Sequence, residues 1–552
     1  MIVLQNMGGI APKTTPELLP DNLAQAANNA ILHRGGVAPL KSPVTVATPT
    51  KSGSKKSIYR FGISQPEGQY WFSWTTPVHV ARGPIAGDTT ERTYFTGDGT
   101  PKKTDFSLAL SGGTSYPVAT YDLGVPAPTI APVLTRIEGA GPTVQEERAY
   151  VFTNVTAWGE ESAPSPAAVA SADSLHVIQL TITDTIPAGQ HNITKRYIYR
   201  SVSSSSGTNY YYVGAVAAGV TTFTDNVDVA LIGEPLATLD WDVPPDDLAG
   251  LVALPSGALC GFSGKEVCFS VVGAPYAWPM KYRLTCEYEI VAVAPLAQGV
   301  AVLTTGYPYF INTGEPEAAQ MIRMDDEQAC VSARSVVALQ GAVIYASPDG
   351  LVSLSPVGAK LLTDTLFDRD SWQALDPSSM FSCKHDGRYY GFLTTGGFVL
   401  DSSGNFIPHD ITATACYVDP VQDRMYLAIG TNIQKWDSGT LKTSLWKSKR
   451  FNLGYPAGFS CAQIKANGFE NLIFKFLATV DKPSDAANIA ADSGGLLVAN
   501  GATLTHTQVI TGPAPFRLPS GFVARLWEFE ISGTDHWTVA SIAGSMTELK
   551  NV

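Results

Sequence analysis

Pairs of short apolar runs, each pair joined at a glycine, recur between residues 254 and 440. The hinge glycines recur at intervals of about 40 residues, close to the period of a β-propeller blade. The pattern therefore predicts short antiparallel strands in repeated sheets. The five copies are Leu259–Phe269, Val302–Ile311, Val343–Leu354, Tyr389–Leu400 and Met425–Trp436, with hinges at Gly264, Gly306, Gly350, Gly396 and Gly430.

Alternating apolar and polar residues outside this repeat predict further β-domains. Residues 51–124 contain four short strand patterns and the tight turn Thr96–Gly99, which is typical of a hairpin, and we interpret them as the first part of the propeller. Residues 125–240, bounded by prolines, predict about seven strands and resemble a fibronectin type III sandwich. Residues 241–440 hold the remaining blades, and residues 441–552 predict a second sandwich.

Residues 1–50 differ from the rest because prolines interrupt them repeatedly. The alanine-rich stretch Asp21–Leu32 predicts a short helix capped by Asp21. We expect an extended arm that contains this helix and is held by other surfaces. A further helical turn is predicted within Ile542–Leu549. The expected fold class is all-β: a β-propeller with an inserted fibronectin III-like sandwich and a C-terminal sandwich.

Composition supports this fold class. The 552 residues include 50 glycines and 37 prolines, 45% of the chain is hydrophobic, and only 16% is charged. Many tight turns between short strands would use such a mixture. The formal net charge of −12 argues against a protein that grips nucleic acid, which would carry a basic stripe. It is compatible with DNA that merely passes along an acidic wall.

Seven scattered cysteines, without a Cys-x-x-Cys pair, predict buried thiols rather than disulfides or a metal site. Cys260 and Cys268 flank the Gly264 hinge and could face each other across a hairpin. The first residues show no secretory signal pattern, and no apolar run is long enough to span a membrane. We therefore expect synthesis in a cytoplasm.

Motifs for phosphate binding and nucleophilic catalysis are incomplete. Gly264-Lys265 resembles the end of a phosphate loop, but Leu259 replaces its first glycine and Glu266 its hydroxyl residue. No Gly-x-Ser-x-Gly elbow occurs. His385-Asp386 and His409-Asp410 are adjacent pairs, and neighbours along a strand point to opposite faces. We interpret both pairs as polar turn residues.

Paired carboxylates would be needed by a glycosidase, a class that propeller folds can host. Asp325-Asp326-Glu327 and Asp246-Asp247 are candidates, and Ser347–Gly350 faintly resembles a sialidase Asp-box. Solvated loop carboxylates explain the same pattern more simply. The sequence predicts no catalytic residue, no cofactor and no metal, and therefore a protein that is not an enzyme.

Two aromatic runs, Tyr70–Trp74 and Tyr210–Tyr212, have two interpretations. They could form a face that binds sugar or protein. Alternatively, their rings pack into sheet cores, as strand aromatics commonly do.

Nine short segments together resemble the tail nozzle proteins of short-tailed phages (podoviruses), also called tail tubular protein B. They are spread over nearly the whole chain, although the inserted sandwich departs from the shortest family members. The segments are Gly8–Pro12, Leu18–Asn22, Ala24–Asn28, Arg34–Leu40, Trp241–Pro245, Ser347–Val352, Arg517–Gly521, Trp527–Gly533 and Ile542–Met546.

The resemblance implies a structural virion protein, a homohexameric tube at the tip of a viral tail made in the bacterial host. Such a tube binds an adaptor ring, bears fibres or spikes, and passes the genome without sequence-specific DNA binding. In a ring, a neighbouring subunit would bury the residue 1–50 arm. We expect that arm and the last sandwich to form a platform facing the adaptor. The alternative is a receptor- or carbohydrate-binding tail protein whose inserted sandwich is the binder.

Overall fold

The computed structural model describes residues 1–62, 64–137, 145–173, 177–204, 207–312 and 315–550. The chain forms two compact units. Unit 1 comprises Met1–Arg60, Pro66–Gln69 and Gln328–Val552, and unit 2 comprises Phe61–Gln65 and Tyr70–Glu327. Unit 1 therefore contains both ends of the chain.

Strands dominate the first half of the chain. They are β1 (Ile2–Leu4), β2 (Ala24–Asn28), β3 (Ala30–His33), β4 (Gly36–Pro39), β5 (Val44–Ala47), β6 (Ser57–Arg60), β7 (Trp71–Trp74), β8 (His79–Arg82), β9 (Thr93–Thr96), β10 (Lys102–Thr104), β11 (Tyr121–Asp122), β12 (Val133–Ile137), β13 (Gln145–Thr156), β14 (Ala168–Asp173), β15 (Val177–Thr181), β16 (Ile193–Ser204), β17 (Gly207–Ala217), β18 (Thr222–Asp225), β19 (Ala249–Ala253), β20 (Leu259–Ser263), β21 (Glu266–Phe269), β22 (Leu284–Thr285), β23 (Ile290–Leu296), β24 (Gly299–Thr304), β25 (Tyr309–Asn312) and β26 (Gln320–Arg323).

The second half continues in the same way. Its strands are β27 (Val337–Leu339), β28 (Ala342–Ala346), β29 (Leu351–Ser355), β30 (Gly358–Leu361), β31 (Phe381–His385), β32 (Arg388–Leu393), β33 (Gly396–Leu400), β34 (Phe406–His409), β35 (Ala415–Asp419), β36 (Arg424–Ile429), β37 (Asn432–Lys435), β38 (Ser444–Ser448), β39 (Phe451–Ala457), β40 (Cys461–Ala466), β41 (Leu472–Thr479), β42 (Val498–Asn500), β43 (Thr503–Ile510), β44 (Phe516–Arg517), β45 (Ala524–Gly533) and β46 (Trp537–Ala543).

Helices are short. The α-helices are α1 (Phe106–Leu110), α2 (Arg369–Gln373), α3 (Pro483–Asp492) and α4 (Met546–Leu549), and single 3-10 turns lie at Val229–Leu231, Met280–Tyr282, Pro316–Ala318, Ala333–Ser335 and Pro377–Ser379.

Six four-stranded antiparallel meanders, which we call blades 1 to 6, occur in the part of the chain that the structure describes. Unit 2 holds blades 1 (β8–β11), 2 (β19–β22) and 3 (β23–β26). Unit 1 holds blades 4 (β27–β30) and 5 (β31–β34), and blade 6, in which β5 joins β35–β37 as the fourth strand.

The repeated glycines lie at the turn between the second and third strands of blades 2 to 6. The Thr96–Gly99 turn has the same place in blade 1. Gly264 and Gly430 have φ angles of 55° and 59°, which a residue with a Cβ adopts only with strain. The tight turn thus explains why glycine recurs there.

The second strands of blades 3 to 6 are largely buried on both faces, so most of their residues are apolar. All six residues of β24 are buried, for example. Adjacent blades share their cores within each unit: Cys260, Val267 and Val293 pack in one cluster between blades 2 and 3.

The inserted sandwich in unit 2 consists of a three-stranded sheet (β12-β15-β18) and a four-stranded sheet (β14-β13-β16-β17). Tyr150, Phe152, Ile178 and Leu180 fill the space between the sheets. A buried Lys103–Glu160 ion pair of 2.5 Å joins blade 1 to this insert.

The terminal sandwich in unit 1 combines strands from both chain ends. One sheet has the order β3-β4-β46-β40-β44, with β1 also paired to β46; the other has the order β2-β38-β45-β41-β43-β42, with β39 also paired to β45. Strand β41 shows the alternation that marks such a sheet: Leu472, Phe474 and Phe476 are buried, and the residues between them are half-buried.

The helix predicted over Asp21–Leu32 is wrong. Residues 24–28 and 30–33 form β2 and β3, separated by Asn29 at φ 52°. The backbone of β2 pairs with β38, from Ala24 opposite Ser448 to Asn28 opposite Leu445. This pairing and the burial of Ala24 and Ala27 outweigh the weak helix preference of alanine.

The arm predicted for residues 1–50 is also corrected. Its strands are integral to sheets of the same chain, because β1 and β4 pair with β46, β2 pairs with β38, and β5 completes blade 6. The prolines fall mostly between these strands, where no ladder hydrogen bond is needed. The helical turn predicted near Ile542–Leu549 is confirmed as α4.

The predicted fold class is confirmed: the chain is all-β, with blade-type sheets, an inserted sandwich and a C-terminal sandwich.

Candidate functional site

The terminal sandwich is the candidate functional site, because the segments that carry the family resemblance at both ends meet there. Ile2–Leu4 of β1 lies opposite Ala540–Ile542 of β46, and Val37 of β4 lies opposite Trp537. Strand β2 runs beside β38, which in turn runs beside β45. Residues from the first and the last part of the sequence thus form one folded element.

Two tryptophans mark the centre of this element. Trp446 and Trp537 are buried and meet edge to face, with ring centroids 5.8 Å apart. Trp446 Nε1 donates to the carbonyl oxygen of Gly8 at 3.0 Å. At Gly9, a Cβ would collide with the backbone of Phe406. Gly9 is therefore required by close backbone packing.

A charged cluster around Glu528 joins the N-terminal segment to β38, to the turn between β38 and β39, and to β45. We call it the Glu528 cluster, and it comprises Glu17, Gln25, Lys447, Arg450 and Glu528. Gln25 Nε2 donates to Glu528 Oε2 at 3.0 Å, Lys447 forms an ion pair with the same carboxylate, and Arg450 Nε donates to Glu528 Oε1 at 2.5 Å. Arg450 Nη1 also donates to Glu17 Oε1 at 2.8 Å.

The cluster alters the protonation of its members. Burial alone would raise the pKa of Glu528, but the hydrogen bonds from Lys447 and Arg450 outweigh burial and lower it. Hydrogen bonds from its own backbone and from Arg450 lower the pKa of Glu17. Nearby, Lys449 Nζ donates to Asp21 at 2.9 Å. The N-terminal segment is thus held by charge as well as by strand pairing.

Exposed apolar side chains lie on the same sandwich. Tyr455 in β39 is 87% exposed, and Val498 and Val509 on the neighbouring strands β42 and β43 are 66% and 60% exposed. Val509 lies opposite the half-buried Ile473 of β41. This outward sheet face, with Ile473, Val498 and Val509, is called the outer apolar face below.

The two histidine–aspartate pairs do not form relays. Asp386 lies in the β31–β32 turn and pairs with Arg388 at 3.2 Å, while His385 Nδ1 is 3.6 Å from Asp423. His409 is buried against Phe392 and Trp436, whereas Asp410 bonds Asn29 and Lys442. Burial lowers the pKa of His409 to about 4, so the ring is neutral.

The carboxylate candidates lie in separate loops. Asp325, Asp326 and Glu327 are exposed, and Asp247 accepts a hydrogen bond from Ser263 at 2.7 Å. In the Ser347–Gly350 turn the Ser347 hydroxyl bonds the Gly350 carbonyl, and Trp372 Nε1 donates to the Ser347 carbonyl. These contacts give the turn a structural role.

The aromatic runs fall mainly in cores. Trp71, Phe72 and Trp74 are buried, so the first run packs inside unit 2. Tyr210 and Tyr212 are half-buried beside Tyr197 and Tyr199, on the face of the inserted sandwich that Leu236 covers.

All seven cysteines are free thiols, and six are buried, as the sequence predicted. Cys260 is opposite Phe269 and Cys268 is opposite Gly261, so the two do not face each other directly. Across the described ranges, no group of histidine, cysteine or acidic side chains could hold a metal ion. Nor does any helix there have the length and apolar character needed to span a membrane.

Sequence reasoning missed the Glu528 cluster. The run Trp446–Phe451 carried a usable signal, because Trp446 and Ser448 are buried while Lys447 and Lys449 point to the acidic partners. Its partners, however, lie more than 400 residues away at Glu17 and Asp21.

No family model matches the chain, and a search of curated proteins finds no match. Solved structures with similar features include the extracellular domain of a one-component system from B. thetaiotaomicron, at 11% identity and TM-score 0.27, which covers 82% of this chain and 67% of that one. Another is the Neurospora crassa Pan2 WD40 domain, at 9% identity and TM-score 0.24; the alignment covers 48% of this chain and 86% of that domain. A gluconolactonase from Xanthomonas campestris aligns at 11% identity and TM-score 0.21, over 48% of this chain and 90% of the gluconolactonase. At such low scores these likenesses carry no argument about what this chain does.

Proposed function

We propose that this protein is a structural component of a short viral tail, a nozzle subunit that forms a homohexameric tube. The observation that supports the proposal is the terminal sandwich. The resembling segments Ala24–Asn28, Arg34–Leu40 and Trp527–Gly533 are far apart in sequence but supply paired strands of that sandwich. Each of these segments is a weak motif by itself, but all three belong to the same folded element.

The proposed role is mechanical rather than catalytic. The tube would bind an adaptor ring, carry fibres or spikes, and pass DNA along an acidic protein with net charge −12. Asp247 accepts a hydrogen bond from Ser263, and His409 packs against Phe392 and Trp436, so both candidates have structural contacts.

The outer apolar face is the part we expect to contact another protein in the tail. Exposed apolar side chains on neighbouring strands are typical of interaction sites. Residues 1–47 are the wrong target for a deletion test, because their strands complete sheets of unit 1 and their removal would unfold it.

The decisive experiment combines native mass measurement of the purified full chain with electron microscopy of tail particles. A mass of six protomers and a six-fold ring at the tail tip support the proposal. A stable monomer that is absent from tails would overturn it.

A matched pair of variants then tests the outer apolar face. Val509→Glu places a charge on that face, and Val357→Glu places one at a 97% exposed turn of blade 4. We expect Val509→Glu to reduce incorporation into tails at unchanged thermal stability, and Val357→Glu to have no effect. Equal incorporation of both variants would exclude this face as a contact.

A receptor- or carbohydrate-binding role is the second candidate, supported by the half-buried tyrosines of the inserted sandwich. Tyr197 and Tyr212 meet edge to face at 5.3 Å and share a surface with Tyr210. Glycan binding by the full chain that Tyr210→Ala abolishes would favour this role over the nozzle.

A further inference from the structure

A cavity of about 380 Å³ lies between blades 5 and 6 of unit 1. Its wall includes Phe381 of β31, Thr394 of the β32–β33 turn, Thr412 and Thr414 of the loop before β35, and Gly430 of the β36–β37 turn. A volume of this size is in the range of small-ligand pockets, about 300 to 1,000 Å³.

The lining is positively charged. Lys56 and Arg334 contribute cationic side chains, five further lining residues carry hydroxyl groups, and none of the lining residues is acidic. This composition stands out in a chain of net charge −12. A cavity of about 370 Å³ between blades 4 and 5 differs, because Lys360 and Asp401 both line it.

Arg334 is held in place by the fold. Its Nη2 donates to the carbonyl oxygens of Lys56 at 2.9 Å and Thr414 at 2.6 Å, and its guanidinium lies 4.7 Å above the Phe381 ring. Stacking and fixed hydrogen bonds orient the planar group, as in arginine sites that bind carboxylate or phosphate.

No carboxylate compensates this charge within the described part of the chain, where Arg334 has no ion-pair partner. Burial lowers the pKa of Arg334. The guanidinium still stays protonated at neutral pH. Two carbonyl oxygens and the Phe381 ring stabilise the half-buried guanidinium, and an anion in the cavity would add a charged partner.

We propose that the cavity between blades 5 and 6, called the interblade cavity below, binds a small anion of sugar size through Arg334 and Lys56. A carboxylate or a phosphate oxygen would accept from the guanidinium and from the Lys56 ammonium group. Ser54, Thr394 and Thr412 also line the cavity, and such hydroxyl residues suit the hydroxyl groups of a sugar. This site is independent of the proposed tail role.

The test is calorimetric titration of the full-length protein with glucuronate, glucose 6-phosphate and uncharged glucose. We expect one or both anions to bind, more weakly at high salt, and glucose not to bind. Binding of glucuronate alone identifies a carboxylate ligand, and binding of glucose 6-phosphate alone identifies a phosphate ligand. If neither anion binds, or if glucose binds equally well, the proposal is overturned.

Lys56→Glu reverses a charge at an exposed residue and should leave the fold intact. We expect it to weaken anion binding at least about tenfold, the loss associated with a charged hydrogen bond. Lys360→Glu, in the other cavity, is the matched control and should bind as the wild type does. If Lys56→Glu binds the anion as tightly as the wild type does, the proposed site is wrong. This outcome decides the question even if the more disruptive Arg334→Met variant loses binding.

Discussion

The Arg60 guanidinium donates to the Asp419 carboxylate at 2.5 Å, and both side chains are almost completely buried in unit 1. Arg60 ends β6 and Asp419 ends β35, the first strand of blade 6. The same carboxylate accepts hydrogen bonds from the backbone N–H groups of Val421 and Gln422. One ion pair thus fixes β6 and the turn after β35.

Asp419→Ala should therefore be strongly destabilising, because it removes the buried carboxylate that pairs with the Arg60 guanidinium. We expect a loss of about 3 to 5 kcal/mol in the free energy of unfolding. Urea denaturation measures it. Asp349→Ala, which breaks the exposed Arg369–Asp349 pair, is the control and should cost about 1 kcal/mol or less. Similar losses in both variants would contradict the assigned role of burial.

Glu528→Gln should make stability less dependent on acid pH. The folded-state pKa of Glu528 is lowered, so its charge stabilises the fold above its usual pKa of 4.5, and this contribution is lost as pH falls through the folded value. The stability difference between wild type and Glu528→Gln should thus be largest at pH 7 and shrink below about pH 4.5.

Thermal unfolding of both proteins across this pH range is the measurement. Glu530→Gln is the control, because Glu530 lies on the same strand and its Oε1 is 3.6 Å from Lys475 Nζ. A difference that persists unchanged in acid would show that the Glu528 charge is not responsible.

His409 should destabilise the fold as pH falls from about 6.5 to about 4. Burial lowers its folded-state pKa to about 4, whereas the unfolded chain takes up the proton near pH 6.5. Protonation therefore favours the unfolded state, by up to about 3 kcal/mol at the acid end of this window.

His409→Phe should remove this component, because a phenyl ring cannot take up the proton that the buried imidazole gains in acid. His409→Ala should remove it too, but with a cavity cost of about 2 to 4 kcal/mol at pH 7. Chemical denaturation at pH 4.5 and pH 7 distinguishes these outcomes; an unchanged pH slope in His409→Phe would exclude His409 as the cause.

The hinge glycine of blade 2 offers a test of backbone strain. A Cβ at Gly264 meets only the Glu289 carboxylate at 3.7 Å, so space is available, but φ is 55°. Gly264→Ala should cost about 1 to 2 kcal/mol, the penalty for a left-handed residue with a side chain. Gly264→Asn should cost less, since asparagine tolerates this region. Equal losses measured by urea denaturation would point to packing instead.

Local pattern by itself determined the fold class. The regular spacing of Gly264, Gly306 and Gly350 predicted the blade hairpins. Each blade needs a tight turn at the same place, and glycine is the residue that adopts such turns most easily. The sequence of residues 441–552 predicted a sandwich, and β41 has the burial pattern of such a sheet because side chains of a strand point alternately to opposite sides. The burial of the cysteines followed from their scattered spacing.

Only the tertiary structure decided what depends on distant partners. Ala24–Asn28 has helix-forming residues, yet it is a strand because β38 supplies its hydrogen bonds. The Glu528 cluster joins Glu17 to Arg450, and the interblade cavity brings Lys56 beside Arg334. Local preferences are worth a few tenths of a kcal/mol per residue, whereas strand pairing and burial act on whole segments. Contacts between residues hundreds of positions apart leave no periodic trace in the sequence, so the fold alone brings them together.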